Sequence, residues 1–296
     1  MTYAAGAPVT VGVDGSPASL NAVAWAASEA GRRGRSLRLV YVNVWPVYSA
    51  AMWPAWGPQD GRDGEAAGRQ IVADAARHAA ATAPEVEVVT DVVDGGPAGV
   101  LLGQAEHSAL LVVGRRGGGG FAQLLVGSVA TQVAIYAACP VAIVPEAAGP
   151  PAGDGTGVVL GVDGSDQCQA AIEYAFTEAS RRGSRLTAVR SWYWPTDDPA
   201  IVEPAPLPAH HVLEQQRLLS EALAGWAEKY PDVEVRTVIA HHRPARALLD
   251  AAEKADLLVV GARGSGGFGA LLLGSVGETV ARHAHCPVVI VRASAH

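Results

Sequence analysis

Leu110-Leu-Val-Val-Gly114-Arg-Arg-Gly117-Gly-Gly-Gly120-Phe121, followed by Gly127-Ser128-Val129, is written a second time as Leu257-Leu-Val-Val-Gly261-Ala-Arg-Gly264-Ser-Gly-Gly267-Phe268 ahead of Gly274-Ser275-Val276. Both copies keep one spacing: glycine, two residues, glycine, nine residues, then Gly-Ser. A short Val-rich run that stops at glycine reads as a strand buried on both faces of a parallel sheet. The glycines directly after it are expected to turn the backbone with φ > 0 and to let it approach a ligand closely. Gly127-Ser128 and Gly274-Ser275 then open helices, where free N–H groups and the helix dipole favour an anion. Strand, glycine loop and helix N-terminus are the parts of a phosphate cradle. One such loop alone says little. Two copies in which glycines and serine recur while other residues drift point to backbone recognition of a polyanion.

The repeat extends beyond the loop. Val11-Gly-Val-Asp14-Gly-Ser16 returns as Leu160-Gly-Val-Asp163-Gly-Ser165. Trp45-Pro46 and Trp194-Pro195 share that pair's offset of 149 residues (163 − 14), whereas Gly114/Gly261 and Cys139-Pro140/Cys286-Pro287 share one of 147 (261 − 114). Long-period self-similarity of this kind marks two duplicated domains rather than a solenoid of short repeats. The boundaries follow as residues 1–147 and 157–296, joined by a Pro/Gly-rich linker around Pro145–Thr156.

Each half alternates strand and helix. In the first, Val9–Val13 is a strand and Pro17–Arg33 a helix with Ser16 as N-cap. Ser36–Val44 is the second strand, Glu65–Thr82 an Ala-rich helix, and Glu85–Val92 the third strand. A helix from Pro97 to His107, a strand Leu110–Val113, a helix Gly127–Ala138 and a strand Pro140–Val144 complete it. Such alternation gives parallel sheets with right-handed crossovers. The predicted fold is α/β: two tandem open parallel five-stranded sheets of order 3-2-1-4-5, helices on both faces. In that order strands 1 and 4 flank the point where the winding reverses, and ligands bind outside the carboxyl ends of strands at such a point. Asp14 ends strand 1 and Gly114 ends strand 4, so motifs distant in sequence meet at one crevice. The same holds for Asp163 and Gly261. A carboxylate there can accept hydrogen bonds from ribose hydroxyls or an adenine amino group while the loop takes phosphates.

Composition bounds the rest. In 296 residues, 49% are hydrophobic and 17% charged, enough for the packed cores of a soluble globular protein. A formal net charge of −7 opposes sequence-independent binding to nucleic acid. No apolar run approaches a membrane span. Met1-Thr-Tyr-Ala-Ala-Gly lacks the basic and apolar regions of a signal peptide, and three cysteines without framework spacing suit a reducing compartment. The expected location is the cytoplasm. Neither loop has the lysine of a GxxxxGK[ST] P-loop, and Gly12-x-Asp14 does not supply the G-x-G-x-x-G that a dinucleotide fold needs after its first strand.

The residues now assembled resemble the universal stress protein family in its tandem, two-domain form. The family's ATP-binding pattern, G-x2-G-x9-G-[ST], is met at Gly114/Gly117/Gly127-Ser128 and at Gly261/Gly264/Gly274-Ser275, and its strand-1 aspartate falls on Asp14 and Asp163. The resemblance covers the chain outside the linker. It implies a Rossmann-like fold of the adenine nucleotide alpha hydrolase type, with ATP as ligand and Mg²⁺ carried by the nucleotide. It places Gly12, Val13 and Asp14, and Gly161, Val162 and Asp163, on the adenosine side. Val42 and Ser191, at the ends of the second strands, fall on the adenine seat, Ser191 being more polar than such a seat usually is. Val113 and Val260 match a further contact, as do Arg116 and Arg263. Ser128-Val129 and Ser275-Val276 meet the phosphates. The implied role is nucleotide-dependent stress response or signalling through protein partners, with association into a homodimer. The rival readings are a slow ATPase or nucleotidyl-transferring enzyme of the same fold, and an interaction scaffold with vestigial sites.

Other residues carry less. Arg115 and Arg116 either clamp phosphate or stand in solvent, and only Arg116 has a second-half counterpart, Arg263, Arg115 being replaced by Ala262. Cys139 and Cys286 read as small buried apolar side chains rather than redox groups. Neighbouring histidines on a strand (His241-His242) point to opposite faces, poor geometry for one metal, and no metal site is expected. Trp45, Trp53, Trp56, Trp192 and Trp194 either pack their loops or form a lid over the nucleotide. No recurrent acid or histidine follows Ser128 and Ser275, and Thr131 stands where the second half has Glu278. ATP is therefore expected to be bound rather than turned over at an enzymatic rate.

Overall fold

The structure is a computed structural model and describes residues 6–44, 62–117, 126–146, 157–165, 168–193, 209–264 and 273–293. The Trp45, Trp53, Trp56 and Trp194 readings lie outside these residues. The chain divides into two compact units, residues 2–150 and 151–296.

The first unit runs β1 (Val9–Val13), α1 (Pro17–Arg33), β2 (Leu37–Asn43), α2 (Arg62–Thr82), β3 (Val88–Asp94), α3 (Pro97–Ala105), β4 (Leu110–Gly114), α4 (Ser128–Tyr136) and β5 (Val141–Val144). Its strands are all parallel, in the order β3-β2-β1-β4-β5. The second runs β6 (Val158–Gly161), α5 (Cys168–Arg182), β7 (Leu186–Trp192), α6 (Ala209–Ala222), α7 (Trp226–Lys229), β8 (Val235–His241), α8 (Pro244–Ala251), β9 (Leu257–Gly261), α9 (Ser275–His283) and β10 (Val288–Val291). Its order, β8-β7-β6-β9-β10, repeats the first, again with every neighbouring pair parallel. The 3-2-1-4-5 winding expected from strand–helix alternation is thus present twice.

The central strands are buried on both faces because both faces are covered. Gly12 turns toward Leu101 of α3, so by strand alternation Val11 and Val13 face the opposite layer, where α1 packs on α2. Val9, Val11, Leu110, Leu111 and Val112 are fully buried. Burial of each Val or Leu is worth roughly 1.5–3 kcal/mol. In α1, Trp25 fills this core, and Phe176 does the same for the second unit.

Local rules set the ends of α1. Ser16 is extended (φ −72°, ψ 155°) and its hydroxyl accepts from the Ser19 amide at 3.2 Å, with Pro17 at the first helical position. Several boundaries shift by one to three residues from the sequence reading, and two of the shifts have a plain cause. The third strand starts at Val88 rather than Glu85, because the Val86 amide donates to Ala83 O and spends residues 83–86 on a turn out of α2. It then runs on to Asp94, opposite Asn43, whose amide donates to the Asp94 carboxylate at 2.8 Å. Helix α3 stops at Ala105, where the His107 and Ser108 amides turn back to Gln104 O and Ala105 O.

Each α1-type helix also ends on a buried charge cluster. Glu29 accepts from Arg32 at 2.7 Å and lies 3.5 Å from Arg33. Its counterpart Glu178 pairs with Arg181 at 2.8 Å and, more closely, with Arg182. Both glutamates are fully buried. The arginines also suit the helix C-terminus, where cations are favoured.

Candidate functional site

Asp14 stands one residue beyond β1 and Asp163 two residues beyond β6, at the carboxyl end of each sheet. The next residue, Gly15 or Gly164, takes φ of 79° or 80°, the left-handed region that favours glycine. That turn brings the Ser16 amide to Asp14 Oδ1 at 3.0 Å. In the second unit the Ser165 amide (3.0 Å) and hydroxyl (2.8 Å) both donate to Asp163 Oδ1. One carboxylate oxygen is thus anchored to the chain that follows, and the other is aimed across the crevice. A Cβ built on Gly117 would collide with Asp14 Oδ2, and one on Gly264 would lie 2.9 Å from Asp163 Oδ2. Strand 1 and the loop after strand 4 therefore meet in both units.

The loop is closed at its base. The Gly127 amide donates to Arg115 O, and the Gly274 amide to Ala262 O, each at 2.9 Å. A Cβ on Gly127 would lie 3.7 Å from Arg116 Cα and 3.8 Å from Gly117 N, and Gly274 has the same distances to Arg263 and Gly264. The entering and leaving chains are thus side by side, and helices α4 and α9 begin there. Gly127 and Gly274 are extended N-caps with no side chain bonded to the helix end. The first-turn amides, among them those of Ser128-Val129 and Ser275-Val276, lack intrahelical acceptors. Both serines are exposed. The helix start thus lies against the loop's entry, whose glycine in turn abuts the anchored carboxylate.

The loop glycines act differently from the sequence expectation. Gly114, Gly117, Gly127, Gly261, Gly264 and Gly274 are not among the glycines with positive φ. At Gly114, Gly117, Gly261 and Gly264 what matters is the missing Cβ. At Gly114 a Cβ would stand 3.0 Å from the backbone of Ala18 in α1 and at Gly117 it would strike the aspartate, whereas at Gly127 it would make only ordinary contact with the loop's entry.

Cations gather at the same rim. Burial, and then the neighbouring Arg116, lower the pKa of Arg115, while Glu146 opposes the shift. Arg116 Nε is buried without a hydrogen-bond partner among the described residues. In the second unit Arg292, just past β10, is likewise lowered by burial and by the charge of Arg263, and its Nε and Nη2 are buried without partners there.

A sequence profile of the Universal stress protein family matches residues 7–145 and, a second time, residues 157–292. The chain belongs to the universal stress protein family. A universal stress protein of Mycobacterium bovis is 38% identical over 297 residues, covering 97% of each chain. One from Mycobacterium tuberculosis is 36% identical over 296 residues, covering 97% of this chain and 96% of its own. A universal stress protein from Archaeoglobus fulgidus, 21% identical, superposes with a TM-score of 0.68 over 97% of this chain and 98% of its own, a likeness of fold.

Within this universal stress protein fold the motif residues divide into three groups. Asp14, Gly117, Gly127 and Ser128, with Asp163, Gly264, Gly274 and Ser275, border the crevice. Val13, Val42, Val113, Val162 and Val260 are buried, so backbone is what they present to a ligand. Gly12 and Gly161 face helices, their added Cβ meeting Leu101 at 2.9 Å and Leu248 at 3.1 Å, and so set sheet–helix spacing. Ser191 commits its hydroxyl to the carbonyl of His242. Trp192 packs against the rings of His241 at 4.3 Å and His211 at 5.7 Å. Arg292 was not legible as a site residue, since it occupies the place of Pro145 and belongs to no motif. Its only sequence signal is the loss of Arg115's charge at Ala262, on the strand next to it. Among the described residues no group of three His, Cys, Asp or Glu could hold a metal ion, and no helix is long and apolar enough to cross a membrane. Cys139 and Cys286 are buried, which pushes each thiol up to about 12.

Proposed function

We propose that each unit binds one ATP and that the chain acts as a nucleotide-dependent stress-response or signalling protein, passing nucleotide state to protein partners in the cytoplasm. The observation that carries this reading is the meeting, in both units, of an oriented aspartate with a glycine loop closed onto a helix N-terminus whose amides have no side-chain cap. Asp14 and Asp163 accept ribose or adenine donors through the oxygen facing the loop. The first-turn amides after Gly127 and Gly274, with the exposed hydroxyls of Ser128 and Ser275, hold the phosphates. Arg116 Nε, unpartnered among the described residues, and the Cβ-free space beside each aspartate suit a bound anion and a ribose. Mg²⁺ enters with the nucleotide and neutralises phosphate charge.

A few charge-assisted hydrogen bonds of roughly 1.5–3 kcal/mol each reach micromolar affinity, about −8 kcal/mol. These groups hold a ground-state triphosphate as readily as a transition state, so they favour binding over turnover. Glu278, the one acid in the first turn of α9, is engaged by Arg282. Nucleotide extracted from the purified chain, followed by titration calorimetry of nucleotide-free protein, tests the reading. Two ATP per chain are expected, and absence of binding to protein shown to be empty would refute it.

A further inference from the structure

The two sites are not electrostatic copies. In both units the chain leaving the fourth strand is bonded to the end of the fifth, Arg115 N to Val144 O and Ala262 N to Val291 O, each at 2.8 Å. Residues just past either strand end therefore stand at the foot of the glycine loop. The first unit puts Arg115 and Arg116 there and sets Glu146 beside Arg115. The second has Ala262 for Arg115, but restores a guanidinium from the adjacent strand end as Arg292, and has Ala293 in the place of Glu146. Arg292 Nε and Nη2 are buried with no partner among the described residues.

A third arginine enters the second unit alone. Arg190 of β7 donates from Nε to Gln215 at 2.7 Å and lays its guanidinium under the turn after Asp163, with Nη1 2.9 Å from a Cβ built on Gly164. Nη1 is also buried and unpartnered there. In the first unit this level holds Tyr41, and the side chain against Gly15 is Ile71. Glu278 does not cancel the excess, being paired with Arg282.

Resting on the ATP reading above, we infer that the second unit is the triphosphate-selective site, with Arg292 and Arg263 as a cation pair for the terminal phosphate, and that the first unit discriminates less between ATP and ADP. Two guanidiniums held together, with no carboxylate paired to either among the described residues, repel each other until an anion sits between them. The free energy so released grows with the ligand's phosphate charge. In the first unit Glu146 already supplies part of that compensation.

The test uses the full chain with one site silenced at a time, by Asp14→Ala or Asp163→Ala, and calorimetric titration with ATP and ADP. With the second site alone, ATP is expected to bind on the order of tenfold or more tighter than ADP, the worth of one charge-assisted contact. Both Arg292→Ala and Arg292→Gln should erase that ratio while the melting temperature holds. The first site should show a smaller ratio, unmoved by either change. An unchanged ratio in the Arg292 variants overturns the inference, as does equal selectivity at both sites, or a loss with Ala that Gln restores. Inorganic tripolyphosphate separates the two claims. If ATP binds nowhere, the ATP reading falls. Stabilisation by tripolyphosphate that needs Arg292 then keeps the cation pair as an anion site, and its absence overturns that too.

Discussion

Replacing Gly117 by alanine isolates one atom of the site. Gly117 does not use a positive φ, so alanine is compatible with the backbone and should, if anything, stabilise the fold by about 0.4–1 kcal/mol through the unfolded chain. The added methyl instead collides with Asp14 Oδ2, the carboxylate oxygen aimed across the crevice. Displacing it removes one charge-assisted hydrogen bond to the nucleotide, about 1.5–3 kcal/mol, or roughly 10- to 150-fold in Kd. Gly264→Ala should do less, since its methyl would lie 2.9 Å from Asp163 Oδ2, within reach of a small adjustment. The assay is a double-mutant cycle by calorimetry, with the second site silenced by Asp163→Ala: wild type, Gly117→Ala, Asp14→Ala and the pair. Because both changes act through the same oxygen, Gly117→Ala should have almost no further effect once Asp14 is alanine. Additive losses, an unaltered Kd in the single variant, or a fall of several degrees in melting temperature would each refute the reasoning.

Three further outcomes are expected. Glu178→Ala leaves Arg182, whose side chain is only 5% exposed, without its carboxylate and should destabilise the second unit by about 3–5 kcal/mol in chemical denaturation, with Glu29→Ala acting likewise on the first. Cys139 and Cys286 stay protonated in the fold up to about 12, while unfolded thiols ionise near 9.0. Their contribution is fully present below pH 9 and is lost as pH rises from there toward 12, so each should subtract ~1.4 kcal/mol from stability by pH 10. The pH dependence of urea midpoints, wild type against Cys→Ala, checks this. Phosphate release from ATP should stay well below the ~1 s⁻¹ lower end of typical enzymes. Release at that rate, abolished by Ser128→Ala or Ser275→Ala, would make the chain an enzyme.

Much of the fold was legible because its signals are local. Val-rich runs ending in glycine gave the central strands, and Ser16-Pro17 marked the start of α1. Duplication then tied distant motifs together, since Asp14 and Gly117 gain meaning from their repetition as Asp163 and Gly264. What sequence hid was of another kind. A glycine code does not say whether φ or the missing Cβ is needed, and here the loop glycines serve close approach while Gly15 and Gly164 serve the left-handed turn. The alternation of Glu85–Val92 looked like a strand throughout, yet its first residues are spent leaving α2. Glu29 and Glu178 read as ordinary charges near helix ends, because burial beside two arginines is a property of packing. Arg292 was invisible for a related reason: duplicated halves align residue by residue, whereas charge can move sideways to a neighbouring strand.

The hydrogen bonds from Gly127 to Arg115 and from Gly274 to Ala262 have a consequence for engineering. Because the chain enters and leaves each loop at adjacent points, strand end and helix start are joined directly, whatever length of chain lies between them. Lengthening that segment adds closure entropy only logarithmically, ~0.6 kcal/mol for each doubling. The segment is therefore an exchangeable cassette: a reporter peptide or a foreign recognition loop could be spliced between Gly117 and Gly127, with the strands beneath keeping their register.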